Sequence, residues 1–222
     1  MVNYGKPTIL HIITSTDVGG AELVLYHYLA HSETGHFAHQ VLSLAPLGLV
    51  GEKMQALGVP VCSLDMPAGL GGMLSFHRVY GYIKKANPDL VHCWMYHANL
   101  LGGLAARLAR IPVVWGIHHH DLNPALLKRS TILVARLGAR LSGWLPDKVA
   151  YCSRSAMREH EGSGYDGVKS VLISNGIDTQ RFAPDAALRQ RVRAQMGIPE
   201  NALVVGHAGR FDPAKGHRDL LR

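Results

Sequence analysis

Long apolar runs are missing from this sequence. No stretch of its 222 residues approaches the roughly 20 consecutive apolar residues that a helix needs to span a bilayer. The first ten residues also lack the order of charged, apolar and small residues that marks a signal peptide. We therefore expect a cytoplasmic protein without a transmembrane helix.

Cysteine and acidic residues are also scarce. Only Cys62, Cys93 and Cys152 are present, an odd number of widely spaced residues in apolar runs, which favours reduced core thiols over a disulfide framework. The 16 Asp and Glu are outnumbered by 23 Lys and Arg, for a net charge of +7. Nucleotide phosphates, anionic membranes and nucleic acid could each exploit that charge. We expect no nucleic-acid partner, because the basic residues are dispersed and no zinc-finger spacing accompanies them.

Short apolar or β-branched runs alternate with helical patterns along the chain, as in a parallel sheet covered on both faces. The sequence predicts an α/β fold, a Rossmann-like doubly wound parallel sheet with ligands beyond the carboxyl ends of its strands. The predicted strands are Thr8–Thr14, His39–Ala45, Val59–Leu64, Asp89–Trp94, Pro112–His118, Lys148–Cys152, Ser170–Ile173 and Leu203–His207. The predicted helices are Ala21–Ala30, Gly51–Leu57, Leu74–Lys85, Ala98–Ala109, Pro124–Ser142, Ser155–His160 and Ala187–Met196.

Turn-forming residues after Ile173 predict a domain boundary. We expect an N-terminal Rossmann-like domain over residues 1–182, and a linker with the truncated start of a second domain over 183–222. Asn175 and Gly176 are the predicted hinge, since Gly permits a positive φ there and Asn can cap locally. A direct ligand contact is the alternative for these two residues.

The glycine pair Gly19-Gly20 follows the first strand and opens a helix. Glycine lets the backbone approach a ligand closely, and a helix N-terminus favours an anion. The loop is neither a GxGxxG dinucleotide motif nor a Walker loop. A tight strand-to-helix turn is the alternative interpretation.

Two further loops contain candidate ligand-binding residues. The sequence Trp94 to Asn99 places aromatic faces beside polar groups, and Tyr96, His97 and Asn99 are candidates for binding a sugar acceptor. Core packing explains Trp94 and Met95 equally well.

Three consecutive histidines end the Pro112 strand, and His118 and His119 are the candidates for the cleft. A metal site is disfavoured, because adjacent side chains on an extended segment point to opposite faces. A solvated histidine cluster is the remaining alternative. Near the end of the chain, Arg210 and Lys215 lie at a predicted strand-to-helix turn and suit a diphosphate.

Five motifs, in this order, resemble family 4 of the retaining glycosyltransferases. They are GGAE (19–22), HCWMYHANLLGGLAA (92–106), VVWGIHHHD (113–121), SNGID (174–178) with Phe182, and GRFDPAKGH (209–217). Within that family, the sequence is most similar to the bacterial O-antigen and capsule polysaccharide branch. The resemblance covers essentially the whole chain.

The resemblance implies a two-domain GT-B enzyme that transfers a hexose from a nucleotide sugar to a lipid-linked saccharide acceptor. Gly19, Gly20, Arg210 and Lys215 would bind the donor phosphates, and His119 or His118 would help position the donor sugar. No catalytic metal and no cofactor are implied, since the nucleotide sugar is the donor substrate. The family's paired glutamates, separated by seven residues, are absent here, so we expect this chain alone to be inactive.

The predicted helix Pro124–Ser142 has an apolar stripe bordered by Arg129, Arg136 and Arg140. Such a helix could rest on an anionic bilayer, which would place the protein peripherally at the inner face of the plasma membrane. A core helix with a solvated basic edge is the alternative. For the whole protein, the alternative to a transferase is a non-catalytic Rossmann-like module for anion binding or assembly.

Overall fold

Seven short parallel strands form one sheet in the computed structural model, which describes residues 5–32, 36–67, 75–119, 122, 127–209, 211 and 216–221. The strands are β1 Thr8–Ile13, β2 Ala38–Ser43, β3 Val61–Ser63, β4 Leu90–Trp94, β5 Val113–Ile117, β6 Lys148–Tyr151 and β7 Ser170–Leu172. Their order in the sheet is β3-β2-β1-β4-β5-β6-β7.

Helices follow most of these strands. They are α1 Gly20–His31, α2 Leu49–Ala56, α3 Phe76–Ala86, α4 Tyr96–Ala109, α5 Arg129–Leu141 and α6 Arg154–Gly162. Beyond β7 come α7 Ala186–Met196 and α8 His217–Leu220. The predicted α/β class and the first seven predicted strands are confirmed, with bounds that differ by at most two residues at either end.

Three predictions of local structure are wrong. The helix that we expected to begin at Ala98 begins at Tyr96, which the sequence assigned to a loop. The helix that we expected to begin at Pro124 begins at Arg129, since the described residues 127 and 128 are not helical. The described residues 203–207 form no strand, and Leu203 and Val205 are 92% and 71% exposed. An apolar β-branched run becomes a strand only where a neighbouring strand accepts its hydrogen bonds, and no such neighbour is found in the described part of residues 176–222.

The sheet is packed on both faces. On one face, α1 and α2 enclose a cluster made by Ile13, Leu25, Leu29, Val41, Val50, Met54 and Trp94. On the other face, a larger cluster surrounds the buried Trp115 and Tyr151. Cys93 is buried in the larger cluster, and all three cysteines are free thiols.

The direction of chain progression reverses between β1 and β4. From β1 the chain proceeds outward through β2 and β3, and it then returns to β4 on the other side of β1. At such a switch point the loops after the two strands diverge and leave a crevice at their carboxyl ends. The connections that contain Gly19 and Met95 follow β1 and β4, so the fold places them at this crevice.

Two compact units divide the chain, residues 1–175 and residues 176–222. In the second unit, Asp185 caps α7 by accepting a hydrogen bond from the Leu188 N–H at 2.8 Å, and Gly197 ends the helix with φ +65°. Buried Arg193 donates to the Pro199 carbonyl at 2.8 Å. The domain boundary between residues 182 and 183 stays a prediction.

We predict that Gly103→Ala destabilises the first unit, because a methyl group there would overlap the indole nitrogen of Trp115. Overpacking of this kind costs about 1–3 kcal/mol in the free energy of unfolding, which urea denaturation measures. Gly81→Ala is the matched control, since Gly81 lies in α3 with no atom within 4 Å of the position that its Cβ would take. The control should gain up to about 1 kcal/mol from helix propensity. Equal stability of the two variants would contradict the close approach of α4 to β5.

Candidate active site

The loop between β1 and α1 is fixed by Thr16. This side chain is fully buried, and its hydroxyl accepts a hydrogen bond from the Gly48 N–H at 3.1 Å. Its carbonyl accepts from the N–H groups of Val50 and Gly51, each at 3.0 Å. Thr16 thus satisfies the free donors at the start of α2 and ties that helix to the β1–α1 loop.

The two glycines of this loop differ in their surroundings. Gly19 is the N-cap of α1, and a methyl group on it would collide with the carboxylate of Glu22, which folds back toward the helix start. A carboxylate at this third helical position is typical of a capping box. Gly20 is exposed, and no atom lies within 4 Å of the position that its Cβ would take. The space over Gly20 is therefore open to a ligand.

The β4–α4 connection contains a strained residue. Met95 has φ 75° and ψ 158°, a region that is essentially restricted to glycine and costs about 1–3 kcal/mol. Its N–H donates to the Gly116 carbonyl at 3.1 Å, which holds the turn against β5. This turn places Tyr96, His97 and Asn99 on the first turn of α4 rather than in a loop.

The three candidate acceptor residues are placed differently. Tyr96 and Asn99 are 3% and 2% exposed, whereas His97 is half-buried. The Asn99 Nδ2 donates to the Gly116 carbonyl at 3.2 Å, while its buried Oδ1 has no hydrogen-bond partner among the described residues. Of the three side chains, His97 is therefore the one most accessible in this conformation. Acceptor binding by these residues stays a prediction.

His118 and His119 follow β5 and lie beside the aromatic residues of the β4–α4 connection. The His118 ring is parallel to the Trp94 indole, with centroids 4.7 Å apart and planes 10° apart. The His119 ring is parallel to Tyr96, at 5.4 Å and 7°. Burial, and secondarily the neighbouring His119, lowers the pKa of His118 to about 4. His118 is therefore neutral at neutral pH, and its buried Nδ1 has no hydrogen-bond partner among the described residues.

Gly116 brings these groups together. A Cβ atom on Gly116 would lie 3.3 Å from Nε2 of His118 and 3.3 Å from Nε2 of His92. His92 pairs with His11 across β4 and β1, so both histidines are on the face of the sheet that α1 covers. Burial, and secondarily His118, lowers the pKa of His92 to about 3.

Sequence reasoning missed His92, His11 and His160. The first two belong to adjacent strands, and only the strand register shows that they are neighbours. His160 accepts a hydrogen bond from Tyr96, 64 residues away in the chain. Their one signal in the sequence was a polar residue inside an apolar run, as at His11 and His92.

Some of the remaining predicted residues lie outside the described residues. Arg210 and Lys215, the two predicted phosphate-binding cations, lie outside them, as do His120 and Asp121. Asn175 ends the first compact unit and Gly176 begins the second. Gly176 does not have the positive φ that we expected, and open space surrounds it. The hinge stays a prediction.

The described part of the chain contains neither a metal-binding cluster nor a membrane-spanning helix. In it, no group of three His, Cys, Asp or Glu side chains is arranged to hold a metal ion. None of its helices has the length and apolar character that crossing a membrane would require.

Comparisons of the sequence with known proteins find relatives among glycosyltransferases. The sequence profile of Glycosyltransferase Family 4 matches residues 18–181. EpsF of Bacillus subtilis strain 168 is 28% identical over 229 residues, which cover 100% of this chain and 58% of EpsF. An Escherichia coli protein named UDP-Gal:alpha-D-GlcNAc-diphosphoundecaprenol alpha-1,3-galactosyltransferase is 28% identical over 151 residues, 64% of this chain and 37% of that protein.

Solved structures share the fold. The crystal structure of Anabaena HepE in complex with UDP matches with a TM-score of 0.77 and 24% sequence identity. The match covers 96% of this chain and 56% of HepE. The predicted Rossmann-like fold is confirmed, and the chain spans little more than half the length of EpsF and of HepE.

We predict that the free energy of unfolding falls as the pH is lowered below 6.5. The pKa values of His92 and His118 are depressed in the folded state, so between about pH 4 and 6.5 the unfolded chain binds protons that the folded chain does not. Each histidine contributes at most about 1.4 kcal/mol per pH unit, and less where its ring meets water. Urea denaturation at about pH 7, 6 and 5 measures the slope of the free energy of unfolding against pH. His118→Gln should flatten it, and an unchanged slope would show that the His118 ring is not held neutral.

Proposed function

This chain belongs to glycosyltransferase family 4, and we propose that it is the acceptor-side part of a retaining GT-B enzyme. The proposed reaction is transfer of a hexose from a nucleotide sugar to a lipid-linked saccharide acceptor in the synthesis of bacterial surface polysaccharide, of the O-antigen or capsule type. The predicted family is confirmed by the profile match over residues 18–181.

One observation carries the proposal for this site. The connections after β1 and β5 leave the sheet at the same edge, and they contain the exposed helix start at Gly20 and the two histidines His118 and His119. An anion at the α1 N-terminus would meet backbone N–H groups and the positive end of the helix dipole, once the Glu22 carboxylate that folds back toward Gly19 moves away. A neutral imidazole nearby can exchange hydrogen bonds with a sugar hydroxyl. The site therefore offers one region for a phosphate and another for a sugar.

The names of two relatives agree with a nucleotide-sugar donor and a lipid acceptor. The Escherichia coli relative is named for UDP-Gal and for an undecaprenol-linked diphosphate. A Mycolicibacterium smegmatis relative, 32% identical over 55% of this chain, is named as a GDP-mannose-dependent phosphatidylinositol monomannoside mannosyltransferase. Because the donors in these two names differ, we propose a nucleotide sugar as donor without specifying which.

We propose that the reaction is a front-face displacement. The acceptor oxygen forms a bond to the anomeric carbon on the same face from which the nucleoside diphosphate leaves. The departing phosphate takes the acceptor proton, so no protein base is required. Fixed N–H dipoles at Gly19 and Gly20 stabilise the charge that builds on the leaving group, together with Arg210 and Lys215. Asn175 and Gly176 would let the two domains close around the donor.

The activity should require a complete second domain. This chain spans 58% of EpsF and 37% of the Escherichia coli relative. We expect nucleoside diphosphate release from a panel of UDP-, GDP- and ADP-sugars, in the presence of a polyprenyl-diphosphate saccharide, only when the chain is extended through that domain. Absence of turnover from both proteins would favour a non-catalytic binding module.

We predict that Gly20→Ala raises the donor KM of the extended protein at least tenfold, about 1.4 kcal/mol in binding. The added methyl group meets no protein atom, so the free energy of unfolding should not fall. Gly19→Ala is the matched comparison. It displaces the Glu22 carboxylate and should cost about 1 kcal/mol of stability. An unchanged donor KM in Gly20→Ala would show that the donor phosphates do not lie over Gly20.

We also propose that α5 contacts an anionic membrane. Its exposed face combines Arg129, Arg136 and Arg140 with Leu133 and Leu137, and the two leucines are 70% and 40% exposed. These positions recur at intervals of three and four residues, so they share one side of the helix. Val134 and Leu141 pack against the core instead.

Replacing the three α5 arginines with Glu should abolish co-sedimentation with phosphatidylglycerol vesicles, because each cation near such a surface contributes about 1 kcal/mol. The matched control replaces three exposed lysines elsewhere, Lys53, Lys84 and Lys85, with Glu and changes the net charge equally. Equal loss in both variants would indicate a general charge effect, and no loss in the arginine variant would remove the membrane contact.

A further inference from the structure

Two aromatic residues at the end of β4 are each paired with one of the two histidines after β5. Trp94 is parallel to His118, with 4.7 Å between centroids and 10° between planes. Tyr96 is parallel to His119, with 5.4 Å and 7°. Both aromatic rings are buried, whereas both histidines are partly exposed. Each histidine therefore has one ring face against an aromatic ring and part of its surface exposed.

The Trp94 ring is held by a directional chain of hydrogen bonds. Its Nε1–H, which can only donate, lies 3.3 Å from Nδ1 of His11. His11 must then carry its proton on Nε2, which lies 3.1 Å from Nδ1 of His39. By the same logic, the His39 Nε2–H donates to Ser32 Oγ at 2.8 Å. One donor-only group thus fixes the tautomer of two histidines in turn.

This series of hydrogen bonds requires both His11 and His39 to be neutral. Burial is the main cause that holds the pKa of His11 well below its usual value, with His92 and His39 as lesser causes. Burial also lowers the pKa of His39. Each ring therefore keeps one nitrogen free to accept at neutral pH.

Tyr96 is held in a similar way on the other face of the sheet. The His160 Nδ1 lies 2.7 Å from the Ala156 carbonyl, which can only accept, so the proton is on Nδ1. The His160 Nε2 then accepts a hydrogen bond from the Tyr96 hydroxyl, whose oxygen lies 2.7 Å away. His160 is itself fully buried and meets the edge of Tyr165 at 5.3 Å. Its own position is therefore restricted by packing.

We infer that Trp94 and Tyr96 are positioning residues, two rings anchored by buried histidines that fix the ring planes of His118 and His119 at the site. A catalytic group must be held within about 0.5 Å and 10–20° of its productive geometry. A parallel ring that cannot slide supplies this restraint without touching the substrate. The catalytic consequence rests on the proposed function, whereas the orientation of the histidine rings does not.

The test removes each anchor and keeps each stacking ring. Tyr96→Phe deletes the hydroxyl that binds His160, and His11→Phe deletes the acceptor of the Trp94 N–H while keeping a ring of similar size. In histidine-labelled protein, a parallel aromatic neighbour shifts the imidazole proton signals upfield. His118→Gln and His119→Gln assign these signals. We expect Tyr96→Phe to reduce the shift for His119 alone, and His11→Phe to reduce it for His118 alone.

Two control variants separate orientation from general stability. Tyr165→Phe removes another buried tyrosine hydroxyl, which donates to the Ala135 carbonyl at 3.1 Å. Trp115→Phe removes bulk from the larger core cluster, on the face of the sheet opposite Trp94. Both should lower the unfolding midpoint and leave the His118 and His119 signals in place. Unchanged signals in both anchor variants would overturn the inference, and Trp94→Phe provides a second test if His11→Phe does not fold.

Activity of the extended protein then distinguishes the inference from the proposed function. We expect kcat to fall about tenfold in the anchor variant whose histidine acts, with the donor KM changed less than twofold. Wild-type turnover with unchanged kcat in both anchor variants would overturn the positioning role. Altered histidine signals combined with no wild-type turnover would support the ring anchoring and reject the proposed transferase.

Discussion

The close approach of β4 and β5 at Gly116 is the constraint on which the candidate site depends. The Gly116 carbonyl accepts hydrogen bonds from the Met95 N–H and from Asn99, which fixes the strained start of α4. Its missing side chain leaves room for Nε2 of both His92 and His118. Any larger residue would have to displace a histidine or the backbone of Cys93, whose carbonyl lies 3.1 Å from the absent Cβ. The close packing of His92 and His118 and the strained backbone at Met95 therefore both depend on Gly116.

Much of the fold could be predicted from the sequence, because its signals are local. Apolar runs such as Thr8–Thr14 and their alternation with helical patterns were sufficient for the seven strands and, apart from the starts of α4 and α5, for α1 to α6. The run at residues 203–207 is also rich in apolar and β-branched residues but forms no strand, since strand formation depends on a neighbour and not on composition alone. Tyr96 was assigned to a loop because nothing in the sequence marks the positive φ of Met95.

The candidate site was predicted less completely. Its location followed from the topology, since the loops after β1, β4 and β5 had to meet at one edge of a parallel sheet. The sequence did not predict which side chains the site residues contact. The Trp94 ring, which the sequence left as either core or ligand-binding, is buried and stacks on His118. The ring of Tyr96, a candidate acceptor residue, is buried and stacks on His119. His160 and His11 could not be recognised, because their contacts depend on side-chain directions and strand register.

The neighbouring residues Gly19 and Gly20 are the same amino acid, but their surroundings differ. Gly19 is kept small by Glu22 of its own helix, whereas Gly20 faces open space. In descendants that retained this fold but lost the proposed reaction, selection would act on position 19 but no longer on position 20. Glycine would persist at position 19 for as long as the helix cap is used, and position 20 would be free to drift. Under the proposed function, a pattern of substitution at the second glycine alone would thus record the loss of the donor phosphates.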